Sequence, residues 1–304
     1  MRYKEFLIED KNNVDFEAEF FKIKCIFEID DNRTFFEDDD TELRGGIKSC
    51  IIKNFSLYDK KNTNLYYYEL EEKIYNKMGF NENIINTSTI DGFNMLGINE
   101  ENLLFYIEFI YSITKFLEKL LSEGNAKNIE NHEFLTSQMS RLFNHIELVL
   151  SNLNYTIVEE DGVYSVVAMA DKALVDEAVD SNTKKSLYEY IAVSNNNDVI
   201  KKRDILKVIA NDYEGIRSDI SNIDDKLNKS ILFILNNCEI RHNNVDEKSP
   251  KFHKVIKDLS DEEFIRIYDY LFYMYLYANL LVKYNDSVEK VLELRNVLDG
   301  KKVK

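Results

Sequence analysis

Residues 205–238 read ILKVIANDYEGIRSDISNIDDKLNKSILFILNNC. Within this stretch Ile205, Ile209, Tyr213, Ile216, Ile220, Ile223, Leu227, Ile231, Leu235 and Cys238 recur at intervals of three or four without a miss. That period marks one face of an α-helix, so the stretch carries a single apolar stripe that must be buried. The polar cluster Asn222 to Asp225 leaves two options, one long helix or two helices broken there. A half-buried strand would alternate with a period of two, and this stretch does not. The stripe therefore sets the fold class as mainly α.

Working outward, the same helical reading extends in both directions. Asn99 caps a strongly apolar helix that runs to Leu121 and ends at Gly124 and Asn125. A second helix is predicted from about Glu130 to Asn152, and further helices from Asp171 to about Val193. Between them Tyr155 to Met169 (YTIVEEDGVYSVVAM) has two β-branched arms around Asp161-Gly162, which predicts one β-hairpin. After the stripe, Asn243 to Asp258 is a loop holding the only proline. A helix over Asp261 to Lys283 and a short tail helix over Ser287 to Leu298 follow. Phe264 to Val282 is apolar enough to test as a membrane span. Its five tyrosines and two charges suit a buried central helix, core or dimer interface, better than hydrocarbon.

Residues 1–98 differ from the rest and predict a smaller N-terminal α+β region, with residues 99–304 forming the helical domain. Phe16 to Ile29 and Gly46 to Leu57 alternate in part and suggest strands of a half-exposed sheet. The acidic run Glu37-Asp38-Asp39-Asp40 reads as a solvated loop, Leu65 to Met78 as a short helix, and Asn81 to Gly97 as a polar loop. No catalytic signature stands in this region.

Composition agrees with long helices. The chain has 304 residues, 44% of them hydrophobic, with only nine glycines and one proline to make turns. Tyr and Phe contribute 19 each, so aromatic area supplies much of the core. A net charge of −16 discourages general adhesion to nucleic acid or anionic membranes. Cys25, Cys50 and Cys238 are odd in number, far apart and without CxxC spacing. They read as reduced thiols of a cytoplasmic protein, with no disulfide framework, no metal site and no cofactor implied. The N-terminus has no apolar stretch of signal-peptide length.

One segment concentrates candidate chemistry. The apolar stripe ends at Cys238, and the same count continues onto Arg241 and His242. A guanidinium emerging on a buried face needs a carboxylate, a partner subunit or a phosphate. Asn243, Asn244, Lys248, Lys251, His253 and Lys254 follow, and Lys201 and Lys202 precede the stripe. Residues 201–257 hold 12 Lys or Arg against 9 Asp or Glu, so this segment reverses the sign of the acidic chain. An anionic ligand would be drawn there. The competing reading makes Arg241 a strut paired with Glu214 or Glu239. His132 and His145 have no metal-ligand spacing and read as ordinary helix residues.

Lys201-Lys202-Arg203-Asp204-Ile205-Leu206, Glu214-Gly215-Ile216-Arg217, and Leu235 through Asn244 (LNNCEIRHNN) together resemble the C-terminal half of abortive-infection proteins of the HEPN superfamily. The resemblance covers about residues 150–285 and is most specific at Ile240-Arg241-His242-Asn243-Asn244. It implies a helical bundle, commonly a homodimer, acting in bacterial phage defence by RNA binding or metal-independent RNA cleavage, with a phage or host protein as trigger. Family members place a histidine four to six residues after the arginine. Here His242 follows Arg241 at once and the next, His253, is twelve residues on. The resemblance implies Arg241 as the phosphate-contacting residue, His242 and then His253 as candidate bases, and Asn243 or Asn244 as substrate-orienting or capping groups. Lys201, Lys202, Lys248, Lys251 and Lys254 would complete an RNA-binding surface. The alternative is a non-catalytic helical dimer that binds a protein partner as a sensor or regulatory module.

Overall fold

The structure is a computed structural model that describes residues 14–28, 46–58, 71–74, 76, 78, 97–126, 132–179 and 183–299. The expected acidic loop at residues 37–40 and nearly all of the polar loop at 81–97 lie outside the described residues. Among the described residues the chain is mainly helical, with one two-stranded hairpin. It divides into two compact units, Met1–Val166 and Val167–Lys304, later than the change of pattern near residue 98.

The first unit contains α1 (Phe16–Glu28), α2 (Ile47–Tyr58), α3 (Glu100–Ser122), α4 (His132–Leu153) and β1 (Tyr155–Glu160). Two of these are corrections, since α1 and α2 stand where partial alternation predicted strands. In α1 the buried set includes Phe20, Ile23 and Phe27, spaced by three and four, and Asp15 Oδ1 caps the start by accepting the Ala18 N–H at 3.0 Å. In α2, Ile47, Cys50, Ile51 and Asn54 are buried, again a helical face. The local Lys-Ile-Lys-Cys alternation in α1 is shorter than the 3.6-residue period that overrides it. Asn99 caps α3 as expected, its side chain accepting the Asn102 N–H at 2.9 Å. His145 on α4 lies 2.9 Å from Glu19 on α1, a role in packing. The first unit ends inside β2 (Val163–Ala168), and the hairpin turn uses positive φ at Asp161 (53°) and Gly162 (77°), as the Asp-Gly pair predicts.

The second unit holds α5 (Met169–Ala178), α6 (Lys184–Ile191), α7 (Val199–Ile223), α8 (Asp225–Asn237), the single turn α9 (Lys254–Lys257) and α10 (Asp261–Leu298). The stripe of residues 205–238 is carried by two helices. The break falls at Asp224, whose side chain accepts the Leu227 N–H at 2.9 Å and restarts the helix. Helix α10 packs on α7, α8 and α5. It begins with a capping box in which Ser260 and Glu263 satisfy each other's backbone N–H groups. Its core-facing rings are Phe264, Tyr268, Phe272 and Tyr275, and Phe272 stacks on Tyr190 with centroids 4.3 Å apart. The expected separate tail helix is instead continuous with α10. Tyr284-Asn285-Asp286 contains no Gly or Pro, and moderate helix formers do not end a helix already propagating. No described helix is long and apolar enough to cross a membrane.

Candidate functional site

Helix α8 ends where the candidate chemistry begins. The Cys238 N–H donates to the Ile234 carbonyl at 3.0 Å, and Glu239 then takes a left-handed conformation with φ 63°. Glycine usually occupies this position, because a side chain there costs about 1 kcal/mol. The Glu239 carboxylate offsets that cost. Its Oε1 accepts the backbone N–H groups of Asn244 and of Val245, the latter at 3.0 Å, while Oε2 lies 3.5 Å from Arg203 Nη1. The glutamate is a turn-maker held by its own side chain.

Asn244 completes the loop from within. It is fully buried, its Oδ1 accepts the Glu239 N–H at 3.1 Å, and its Nδ2 donates to the carbonyls of Asn236 (3.3 Å) and Lys251 (2.9 Å). The His253 N–H donates to the Asn244 carbonyl at 2.8 Å, which draws residue 253 back beside residue 244. Both side-chain polar atoms of Asn244 are thus consumed by the fold, which removes it from the set of RNA-contacting candidates.

Arg241 is held less completely. Its Nη2 donates to Glu214 Oε1 at 2.5 Å and to the Ala210 carbonyl at 3.0 Å, and the side chain is 23% exposed. Burial works against ionisation of Glu214, yet hydrogen bonds from Arg217 and Arg241 hold its carboxyl below the ordinary range. One guanidinium nitrogen, Nη2, is therefore engaged by an acidic neighbour on α7 and by backbone. Of the other candidate cations, Lys202 is buried, pairs with Asp269 at 2.7 Å and lies 4.5 Å above the Tyr190 ring, so it belongs to the core. Lys201 pairs with Glu189. His242, Asn243, Lys248, Lys251, His253 and Lys254 are exposed. The Asn243 side chain accepts the Asp246 N–H at 2.9 Å, a local turn.

What sequence reasoning missed lies beside this loop. An open apolar groove of about 570 Å³ runs between α8, the α9 turn and α10. Phe233 and Ile234 form one wall, Val255, Ile256 and Leu259 the second, and Ile267 with Tyr270 the third. Phe233 and Val255 are among the most exposed apolar side chains of this unit. Lys226 and Lys229 line the groove; Lys229 pairs with Asp225, and Lys226 has no ion pair among the described residues. The Cys238 thiol lies at the groove lining, and burial pushes its pKa up to about 11, so it stays protonated and unreactive at neutral pH. The available signal was Phe233 itself, an aromatic ring standing off the Ile231–Leu235 stripe.

Among the described residues no group of three or more His, Cys, Asp or Glu side chains is placed to hold a metal ion. Comparison with protein-family models, with curated proteins and with solved structures finds no match to the chain.

Proposed function

We propose that the second unit is a protein-binding module, and that its groove receives an amphipathic segment of a partner protein with apolar anchors and acidic flanks. The observation that carries this reading is the groove itself: apolar walls, three side chains (Phe233, Val255 and Tyr270) standing in solvent, and a lysine rim on a chain of net charge −16. Helix-in-groove recognition places side chains at i, i+3, i+4 and i+7 into such a channel, and an acidic flank would meet Lys226. This is the non-catalytic reading of the sequence, with Arg241 as an internal strut.

A peptide-display selection against the whole protein tests it. Recovered peptides should carry apolar residues at helical spacing with net negative charge, and should lose binding at least ~10-fold to Phe233→Asp. Enrichment of basic peptides, or binding that ignores Phe233→Asp and Val255→Asp alike, overturns the proposal.

RNA contact is the second reading, favoured by the exposed set His242, Asn243, Lys248 and Lys251 on one loop, with Lys254 opening the α9 turn after it. In this reading cleavage would need Arg241 to leave Glu214. Incubation with RNA in the presence of EDTA, comparing wild type with Arg241→Ala and His242→Ala, decides it. Cleavage lost in both variants supports a ribonuclease; RNA left intact by wild type removes it.

A further inference from the structure

Helix α10 is apolar on two opposite faces. One face, with Phe264, Tyr268, Leu271 and Tyr275, fills the core of the second unit. The other is largely exposed, with α5 at its edge, where Tyr273 donates its hydroxyl to Asp171 at 3.0 Å and Leu280 is half-buried. Tyr270, Tyr273, Tyr277, Tyr284, Val291, Leu294 and Leu298 are between 44% and 78% exposed.

The spacing of that second set is regular. Tyr270, Tyr277, Tyr284, Val291 and Leu298 recur every seven residues, and Tyr273, Leu280, Ser287 and Leu294 stand three residues after the first four of them. This is the a/d repeat of a coiled coil, held for four heptads over about 42 Å, with Ser287 its one polar position. A solvated surface has no physical reason to keep an apolar seven-residue repeat for that length. A seam that stays in register with a second helix does, because each heptad then meets the partner at the same angle.

We infer that this seam is a self-association surface, on which α10 of a second copy lies to form a two-stranded coiled coil. Three observations favour a second copy as the occupant. Every residue from 289 to 298 is exposed, so no other described element covers this half of the helix. The exposed apolar area of the seam comes to roughly 700 Å² per copy and about 1,400 Å² for a pair, within the range of specific, stable interfaces. Residues 270–298 contain three basic and three acidic side chains, so two copies of an otherwise acidic chain meet there without net repulsion. The partner must also present the same 3.5-residue repeat over the same length, which another α10 does by identity. This inference does not depend on what fills the groove.

Sedimentation velocity of the full chain tests it. A dimer should form at micromolar concentration, and Val291→Asp combined with Leu294→Asp should weaken it at least ~100-fold with helix content unchanged by circular dichroism. Ser287→Leu should tighten the dimer ~10-fold by completing the seam. The double variant should still bind groove-selected peptides, and Phe233→Asp should still dimerise, so the two proposals fail separately. A wild-type chain that stays monomeric at about 50 μM, or a dimer indifferent to both sets of seam substitutions, overturns the inference.

Discussion

The Glu239–Asn244 loop and the groove beside it use their residues in opposite ways. In the loop, three polar or charged side chains are spent on the fold while His242 and Asn243 stay exposed: Asn244 on three hydrogen bonds, Glu239 on two backbone N–H groups, Arg241 on Glu214 and the Ala210 carbonyl. In the groove, apolar side chains are turned outward and left unspent. The lesson is that a cluster of functional-looking residue types is a candidate only until its hydrogen bonds are assigned. A buried polar group needs partners, and a helix end with an abrupt turn is where the fold itself demands them.

That contrast can be broken by substitution, and the largest effect is expected at Asn244. Asn244→Ala should lower stability by about 3 kcal/mol, because three backbone groups lose their partner inside the protein. Urea denaturation followed by circular dichroism measures it. A loss below about 1 kcal/mol would mean that water replaces the side chain, and that the loop is open rather than stapled.

Arg241→Ala should cost less, about 1–2 kcal/mol, since its partner Glu214 is nearly half exposed and solvent screens the pair. Glu214, held by Arg217 and by Arg241, predicts a direction with pH. The folded-state pKa of Glu214 lies below its unfolded value, so its contribution is present above about pH 4.3 and is lost as the pH falls through the folded value. Wild type should therefore lose more stability than Glu214→Gln between neutral pH and pH 3. Equal acid sensitivity in the two proteins would remove the strut assignment.

The smallest effect is expected in the groove. Phe233→Ser should change stability by no more than ~0.5 kcal/mol, because the ring is 63% exposed and its removal opens no cavity. A loss of ~2 kcal/mol or more would show that Phe233 belongs to the core, and would erase the difference between the two regions.

The helical architecture was legible because its signals are local. The three-and-four spacing from Ile205 to Cys238, the Asn99 cap and the Asp161-Gly162 turn each dictate a backbone geometry without help from distant residues. The errors came where the local signal was short. Four alternating residues in α1 suggested a strand that the longer spacing of Phe20, Ile23 and Phe27 overrides. The fate of Arg241 was legible as a pair of options and no further. Whether its guanidinium met Glu214 or open solvent depended on how α7 and the loop after α8 come together, a contact between residues 27 apart. The groove was illegible for the same reason, since its walls come from three separate segments. The seam on α10 was written in the sequence in full, but a tyrosine pointing inward and one pointing outward read alike until the helix has a core side.

Tyr270 belongs both to the groove wall and to the first heptad of the α10 seam. If both proposals hold, one ring serves two equilibria. If a groove ligand repositions it, the ligand changes the tendency of α10 to pair, and thermodynamic reciprocity requires pairing to change ligand affinity by the same factor. The 38-residue helix gives that coupling a lever of about 57 Å, long enough for an event at the groove to be felt at the far end of a paired rod.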